Sequence, residues 1–267
     1  MAYKLICSDI DGTLLNVDRE LSQSTIEQVQ RVSPIPFILI SSRMPAAMHH
    51  LQRDLKNEST PLIAYNGGLV IADNQTIHST FIAPNMIQKV ADQCKENSVH
   101  LSLYFNDEWY VPSMDFWAKR EANNTKVTPA VKPTEDVINT WIQEEKGAHK
   151  IMCMGDENEI DILYNYLKNN YADQIHLYRS KPTYIEISHK AISKKTAIEM
   201  LLEHTFTTIN MEEIIAFGDN FNDIEMLEAV GMGVAVANAQ TQVLEIANMV
   251  TDTNKNDGVA KAIKELF

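Results

Sequence analysis

The stretch Leu5-Ile6-Cys7-Ser8-Asp9-Ile10-Asp11-Gly12-Thr13-Leu14-Leu15 starts apolar and then places two carboxylates two positions apart, with glycine directly after. An apolar strand end avoids unpaired charge, because burying it is costly. Two acids there call either for a compensating cation or for a solvated turn, in which Asp and Gly are common residues. The stretch alone leaves both readings open, and the rest of the chain decides between them.

Working outward, Ser24-Thr25-Ile26-Glu27 has the form of a capping box, and Ile26, Val29 and Val32 recur at helical spacing. Pro36-Phe37-Ile38-Leu39-Ile40 is a continuous apolar run ending in Ser41-Ser42-Arg43. Met48, Leu51 and Leu55 mark a second helix, and Pro61 to Tyr65 a third strand ending in Asn66-Gly67-Gly68. Strands apolar throughout rather than alternating are expected where both faces are covered. Strand and helix in turn predict an α/β parallel sheet, and the segment from Leu69 to Ile82 predicts a hairpin about Asp73-Asn74.

The middle of the chain reads differently. It predicts helices through Ile87, Val90 and Cys94, through Val137, Ile138 and Trp141, and through Ile160, Leu163 and Leu167. Strands are expected at 100–105, 108–111, 149–154, 175–178 and 184–187, and all three tryptophans fall here. The α/β rhythm then resumes with a helix over 194–204 and the strand Glu213 to Phe217, which ends in Gly218-Asp219. The expectation is one α/β domain formed by 1–83 and 189–267, interrupted by an α+β domain over 84–188.

Acidic residues number 36 and basic residues 23, a formal net charge of −13 over 267 residues. That balance argues against a nucleic-acid backbone or an anionic membrane as the main partner. No apolar run approaches the roughly 20 residues of a membrane span. Cys7, Cys94 and Cys153 form no Cys-x-x-Cys and read as buried thiols of a reducing compartment. With no signal-peptide pattern, a cytoplasmic location is expected.

Four predicted strands end in polar residues: Ser8-Asp9, Ser41-Ser42-Arg43, Asn66-Gly67 and Gly218-Asp219. Ligands of parallel sheets bind beyond the carboxyl ends of the strands, so these residues would converge on one edge. The set is rich in carboxylates and small donors and lacks histidine, which suits Mg²⁺ beside a phosphate. Asp219 and Asp223, four apart, would share one side of a helix starting there.

These residues resemble the haloacid dehalogenase superfamily of phosphatases, in particular its Cof-type subgroup. The carriers are Asp9-Ile10-Asp11-Gly12-Thr13-Leu14-Leu15, Ser41, Lys194 and Gly218-Asp219-Asn220-Phe221-Asn222-Asp223, in that order along the whole chain. The resemblance implies a Rossmann-like core with an inserted α+β cap of the C2B type. It implies hydrolysis of small phosphomonoesters, sugar phosphates or phosphorylated cofactors, with Asp9 as nucleophile and Asp11 as acid and base. Asp9, Asp11, Asp219 and Asp223 would hold Mg²⁺, while Ile10, Ser41, Ser42, Arg43, Lys194 and Asn222 would face phosphate or substrate. Trp109, Tyr110, Met114, Trp117, Arg179 and Lys181 are the candidate readers of the leaving group. Ser42 and Lys195 stand where the family usually has glycine, which leaves open which lysine reaches the phosphate. A phosphomutase on the same residues and a non-catalytic sugar-phosphate-binding regulator are the alternatives. The expected partner is a small phosphorylated metabolite, with the chain a monomer or weak homodimer.

Overall fold

The computed structural model describes residues 3–267 and divides them into two compact units. One consists of 3–42, 48–78 and 193–267, the other of 43–47 and 79–192. These limits differ from the 83/84 and 188/189 expected from the sequence, for reasons visible in the hydrogen bonding. Ile82 bridges Ala148, Ser79 Oγ lies 2.9 Å from His149 Nε2, and the Lys190 N–H donates to the Gln174 carbonyl.

The first unit opens with β1 (Leu5–Asp9), α1 (Gln23–Arg31), β2 (Phe37–Ile40), α2 (His49–Leu55), β3 (Leu62–Ala64), β4 (Leu69–Ala72) and β5 (Gln75–Ser79). The second unit follows with α3 (Pro84–Glu96), β6 (His100–Phe105), β7 (Glu108–Val111), α4 (Phe116–Thr125), β8 (Ala130–Val131), α5 (Thr134–Gln143), β9 (Lys150–Met154), α6 (Glu157–Tyr171), β10 (Ile175–Lys181) and β11 (Tyr184–His189). The chain then completes the first unit with α7 (Lys194–His204), β12 (Ile214–Gly218), α8 (Ile224–Ala229), β13 (Met232–Ala235), α9 (Thr241–Ile246), β14 (Met249–Val250) and α10 (Gly258–Leu266).

In the first unit the sheet order is β14-β13-β12-β1-β2-β3-β4-β5. Neighbours from β14 to β3 are parallel and β4 is antiparallel to β3. This is the α/β, Rossmann-like class expected. β1 lies between β2 and β12, and every one of its residues is buried. Leu5, Cys7, Ile38, Ile40, Ile63, Ile214 and Ala216 pack with α7 and α8 residues into one core. The β4–β5 turn puts Asp73 and Asn74 at φ 51° and 58°, the left-handed region that Asn and Asp tolerate.

The second unit is a six-stranded sheet, β10-β11-β9-β6-β7-β8. One face carries Leu101, Leu103, Phe105, Ile151, Cys153, Ile185 and Ile187 against α3, α5 and α6. The other face therefore carries the even-numbered residues of β6, β9 and β11, because side chains alternate along a strand.

Two local expectations change. The α1 N-cap is Ser22, whose Oγ accepts from the Thr25 N–H, so the cap lies two residues before the Ser24-Thr25-Ile26-Glu27 pattern. The sequence pattern also gives no sign of α4. That helix buries only Ala118 and Glu121 and so lacks an apolar stripe; its start is fixed by the Asp115 carboxylate accepting from the Ala118 N–H.

Candidate active site

The carboxyl ends of β12, β1, β2 and β3 lie side by side along one edge of the first unit's sheet. β1 ends in Asp9, which is 6% exposed. Gly12 turns the chain at φ +92°, and a Cβ there would occupy the space of the Asp219 carboxylate. Asn238 Nδ2 holds the Gly12 carbonyl at 2.8 Å, and Thr13 Oγ1 donates to Asp219 Oδ1 at 2.9 Å.

One carboxylate oxygen from each of Asp9, Asp219 and Asp223 lies within 4.8 Å of the other two. Asp223 is wholly buried. Its Oδ2 accepts from the N–H groups of Asp219 and Asn220, each at 2.9 Å, so it caps its own 3₁₀ turn (Phe221–Asp223). The helix expected to carry Asp219 and Asp223 on one side instead begins at Ile224, and Asp219 lies before the turn rather than on a helix face. What brings the two acids together is this backward cap.

Lys194 closes the cluster. Its Nζ donates to Asp9 Oδ1 and Asp223 Oδ1, both at 2.5 Å, from a fully buried position. Lys194 is the first residue of α7, set there by the Ser193 cap and its reciprocal bonds with Thr196. A helix N-terminus and burial both disfavour an ammonium. Burial by itself would lower the Lys194 pKa, but the carboxylates of Asp223 and Asp9 outweigh it and hold the group above its ordinary value. Gly67, at φ +107°, makes the approach of α7 possible, since a Cβ there would come 2.6 Å from the Ser193 carbonyl oxygen.

The site remains short of positive charge. Burial raises Asp9 well above the usual carboxylate range; Lys194 opposes this, and Asp223 and Asp219 add to it. Asp219 is pushed up to about 6 by burial and by Asp223, against Thr13 and Lys194. Three carboxylates against one ammonium leave a formal −2, confined to hard oxygen donors, so the donor set fits a divalent cation of the hard class.

Other sequence candidates land as follows. Asp11 is exposed and outside the three-carboxylate cluster. Ile10 and Ser41 are buried, and Ser42 is half-buried. Ser41 accepts the Asn66 N–H through its carbonyl. Asn222 Nδ2 donates to Asn66 Oδ1 at 3.1 Å. Arg43 belongs to the second unit, where its Nη1 donates to the Ala47 carbonyl at 3.3 Å. Lys195 sits on the surface, paired with Glu199 at 2.7 Å, so Lys194 is the lysine brought to the carboxylates. Asn66 is one of the strand-end residues expected at this edge, whereas the sequence gives Thr13 and Asn238 no role of their own. Thr13 lay inside a recognised motif, but Asn238 reaches Gly12 from 226 residues away and carries no local signal.

Residues 6–263 match the family model described as haloacid dehalogenase-like hydrolase. A Haemophilus influenzae protein with a provisional phosphatase name is 32% identical over 272 residues, covering 100% of this chain and 99% of the relative. A 5-amino-6-(5-phospho-D-ribitylamino)uracil phosphatase of Bacillus subtilis is 29% identical, covering 98% and 97%. The crystal structure of a haloacid dehalogenase-like hydrolase from Bacteroides thetaiotaomicron superposes with a TM-score of 0.88 at 28% identity, over 99% of this chain and 100% of that one. The chain belongs to the haloacid dehalogenase-like hydrolases, and within them it is a phosphatase-type enzyme.

Proposed function

We propose that the chain hydrolyses small phosphomonoesters in a Mg²⁺-dependent reaction through a phosphoryl group carried on Asp9. The observation that carries this reading is the cluster of Asp9, Asp219 and Asp223 around one buried ammonium at the carboxyl edge of a parallel sheet.

Asp9 Oδ attacks phosphorus and the ester P–O bond breaks, while Asp11 gives its proton to the departing alcohol oxygen. Asp11 then takes a proton from water, whose oxygen attacks phosphorus and frees inorganic phosphate and the Asp9 carboxylate. Lys194 spreads positive charge between nucleophile and phosphoryl group. Ser41, Ser42 and Ile10 lie on the phosphate side, with Asn222 held by Asn66, and Arg43 is a further substrate contact. Asp9, Asp219 and the Asp11 main-chain carbonyl would hold Mg²⁺, with Asp223 supporting the metal or its water while its carboxylate also accepts from Lys194 and the 219–220 backbone. When bound, the metal supplies Lewis-acid neutralisation of phosphate charge.

An inserted domain over 84–188 between core segments 1–83 and 189–267, a cytoplasmic location and a monomeric or weakly dimeric state belong to the same reading. For the alcohol part, sugar phosphates and phosphorylated cofactor precursors are proposed; one curated relative is named for a ribityl phosphate ester. Phosphate release from a metabolite panel with Mg²⁺ tests the proposal. Release that disappears in Asp9→Asn supports it; no release from any panel member, or full activity in Asp9→Asn, overturns it.

A further inference from the structure

Asp11 is exposed, so its carboxyl group is placed by the backbone of its loop rather than by core packing. Within that loop the Leu14 and Leu15 N–H groups both donate to the Ile10 carbonyl, at 3.0 and 3.1 Å, which closes residues 11–13 into an arch. Two further carbonyls of the loop are taken from distant parts of the first unit. Asn238 Nδ2 donates to the Gly12 carbonyl at 2.8 Å, and Asn254 Nδ2 donates to the Leu15 carbonyl at 2.7 Å.

The two asparagines are also joined to each other, since the Asn254 N–H donates to Asn238 Oδ1 at 2.8 Å. Both ends of the Asn238 amide are therefore used, its nitrogen toward the loop and its oxygen toward Asn254. Asn238 follows β13, and two positions on, the Gln240 N–H donates to the Asp219 carbonyl at 2.9 Å. One short segment thus grips the backbone at Asp219 and at the residue directly after Asp11.

Gly12 has no side chain of its own to fix it, and its backbone has more conformational freedom than any other residue of the loop. The peptide it turns is the one that carries Asp11. A displacement of about 1 Å there is enough to spoil a proton transfer, which needs the acid within hydrogen-bond reach of the departing oxygen. We propose that Asn238 and Asn254 are positioning residues that keep Asp11 in reach of the departing alcohol. In the step they serve, the P–O bond to the alcohol breaks, its electron pair stays on the alcohol oxygen, and that oxygen takes the Asp11 proton. The inference rests on the acid role given to Asp11 above and extends it to two residues near the other end of the chain.

The test compares two esters on the full chain with Mg²⁺. One is an alkyl phosphate that the parent protein hydrolyses; the other is 4-nitrophenyl phosphate, replaced by acetyl phosphate if the aryl ester is not turned over. An alkoxide needs a proton from an acid to depart, whereas nitrophenolate and acetate leave without one. kcat/KM reports on the steps up to that departure. Asn238→Ala should lower kcat/KM for the alkyl ester about three- to tenfold, the scale of one neutral hydrogen bond, and leave the activated ester within about twofold. Asn238→Asp keeps the size and the acceptor for Asn254 but turns an oxygen toward the Gly12 carbonyl, and should do at least as much. Asn254→Ala should act in the same sense through Leu15. If Asn238→Ala does not fold, Asn238→Asp and Asn254→Ala carry the test. Equal losses on both esters mean a staple of the fold only and overturn the proposal, as does alkyl-ester activity equal to the parent's. Asp11→Asn separates this inference from the reading beneath it. If Asp11→Asn loses the alkyl ester selectively and the asparagine variants do not, the positioning role alone falls. If Asp11→Asn loses both esters alike, or the parent releases no phosphate, the underlying reading falls and takes the inference with it.

Discussion

Lys194 Nζ donates to Asp9 Oδ1 at 2.5 Å although 185 residues separate them in sequence. Neither group is in its ordinary electrostatic state, and each explains the other. Burial that raises the Asp9 pKa is opposed chiefly by Lys194, and burial that would lower the Lys194 pKa is opposed by Asp223 and Asp9. The adjacent Lys195 shares none of this.

That contrast gives a paired prediction. Lys194→Ala should lower kcat/KM at least about 100-fold, the scale of one electrostatic stabiliser in phosphoryl or acyl transfer. It should also lower the melting temperature, since it leaves buried carboxylates without their partner. Lys195→Ala should keep activity within about twofold and stability within roughly 0.5 kcal/mol, as for a surface pair. Steady-state kinetics and thermal melts on both variants check this; a larger activity loss in Lys195→Ala would reverse the assignment.

Thr13 Oγ1 donates to Asp219 Oδ1 at 2.9 Å. Thr13→Val keeps its shape and removes the hydroxyl. The expected outcome is a Mg²⁺ activation constant raised about 10- to 100-fold, the usual effect of losing such a support, with kcat recovered at saturating metal. Activity titrated against Mg²⁺ checks it, and an unchanged activation constant counts against the role.

Gly67 combines a left-handed backbone with the close Ser193 carbonyl. Gly67→Ala should cost roughly 1–3 kcal/mol, from backbone strain and the forced retreat of the Ser193 end of α7. Because Lys194 follows Ser193, kcat should fall along with stability. Denaturant unfolding with kinetics below the transition measures both.

Asp252 is held at about 2 by Lys261, with help from the Thr253 N–H and the Asn256 amide. A carboxyl depressed in the folded state stabilises above its unfolded value of about 3.9, and this is lost as pH falls through about 2. Asp252→Asn should therefore be less stable than the parent at pH 7, with the gap narrowing between about pH 4 and 2. Denaturation midpoints against pH test it; a gap that widens on acidification contradicts the sign.

Where local chemistry dominates, the sequence was readable. Apolar strands such as Phe37–Ile40 and the acid pairs at strand ends pointed to a parallel sheet with its site at one edge. Where distant packing dominates, it was not. α4 has no apolar stripe because it buries only Ala118 and Glu121, and Asn238 acts on Gly12 across the fold. The turn at Phe221–Asp223 was misread because a carboxylate at helical spacing looks the same whether it shares a helix face or caps backward.

The central strand β1 is hydrogen-bonded on one side to β2 and on the other to β12, which begins at Ile214. During synthesis β2 follows β1 off the ribosome within a few tens of residues, whereas β12 arrives after the whole second unit. For that interval the strand bearing Asp9 presents an open, apolar edge, the kind that invites pairing with other chains. The nascent chain keeps this edge open until β12 emerges, so a message cut short before Ile214 would yield an aggregation hazard rather than a weak enzyme.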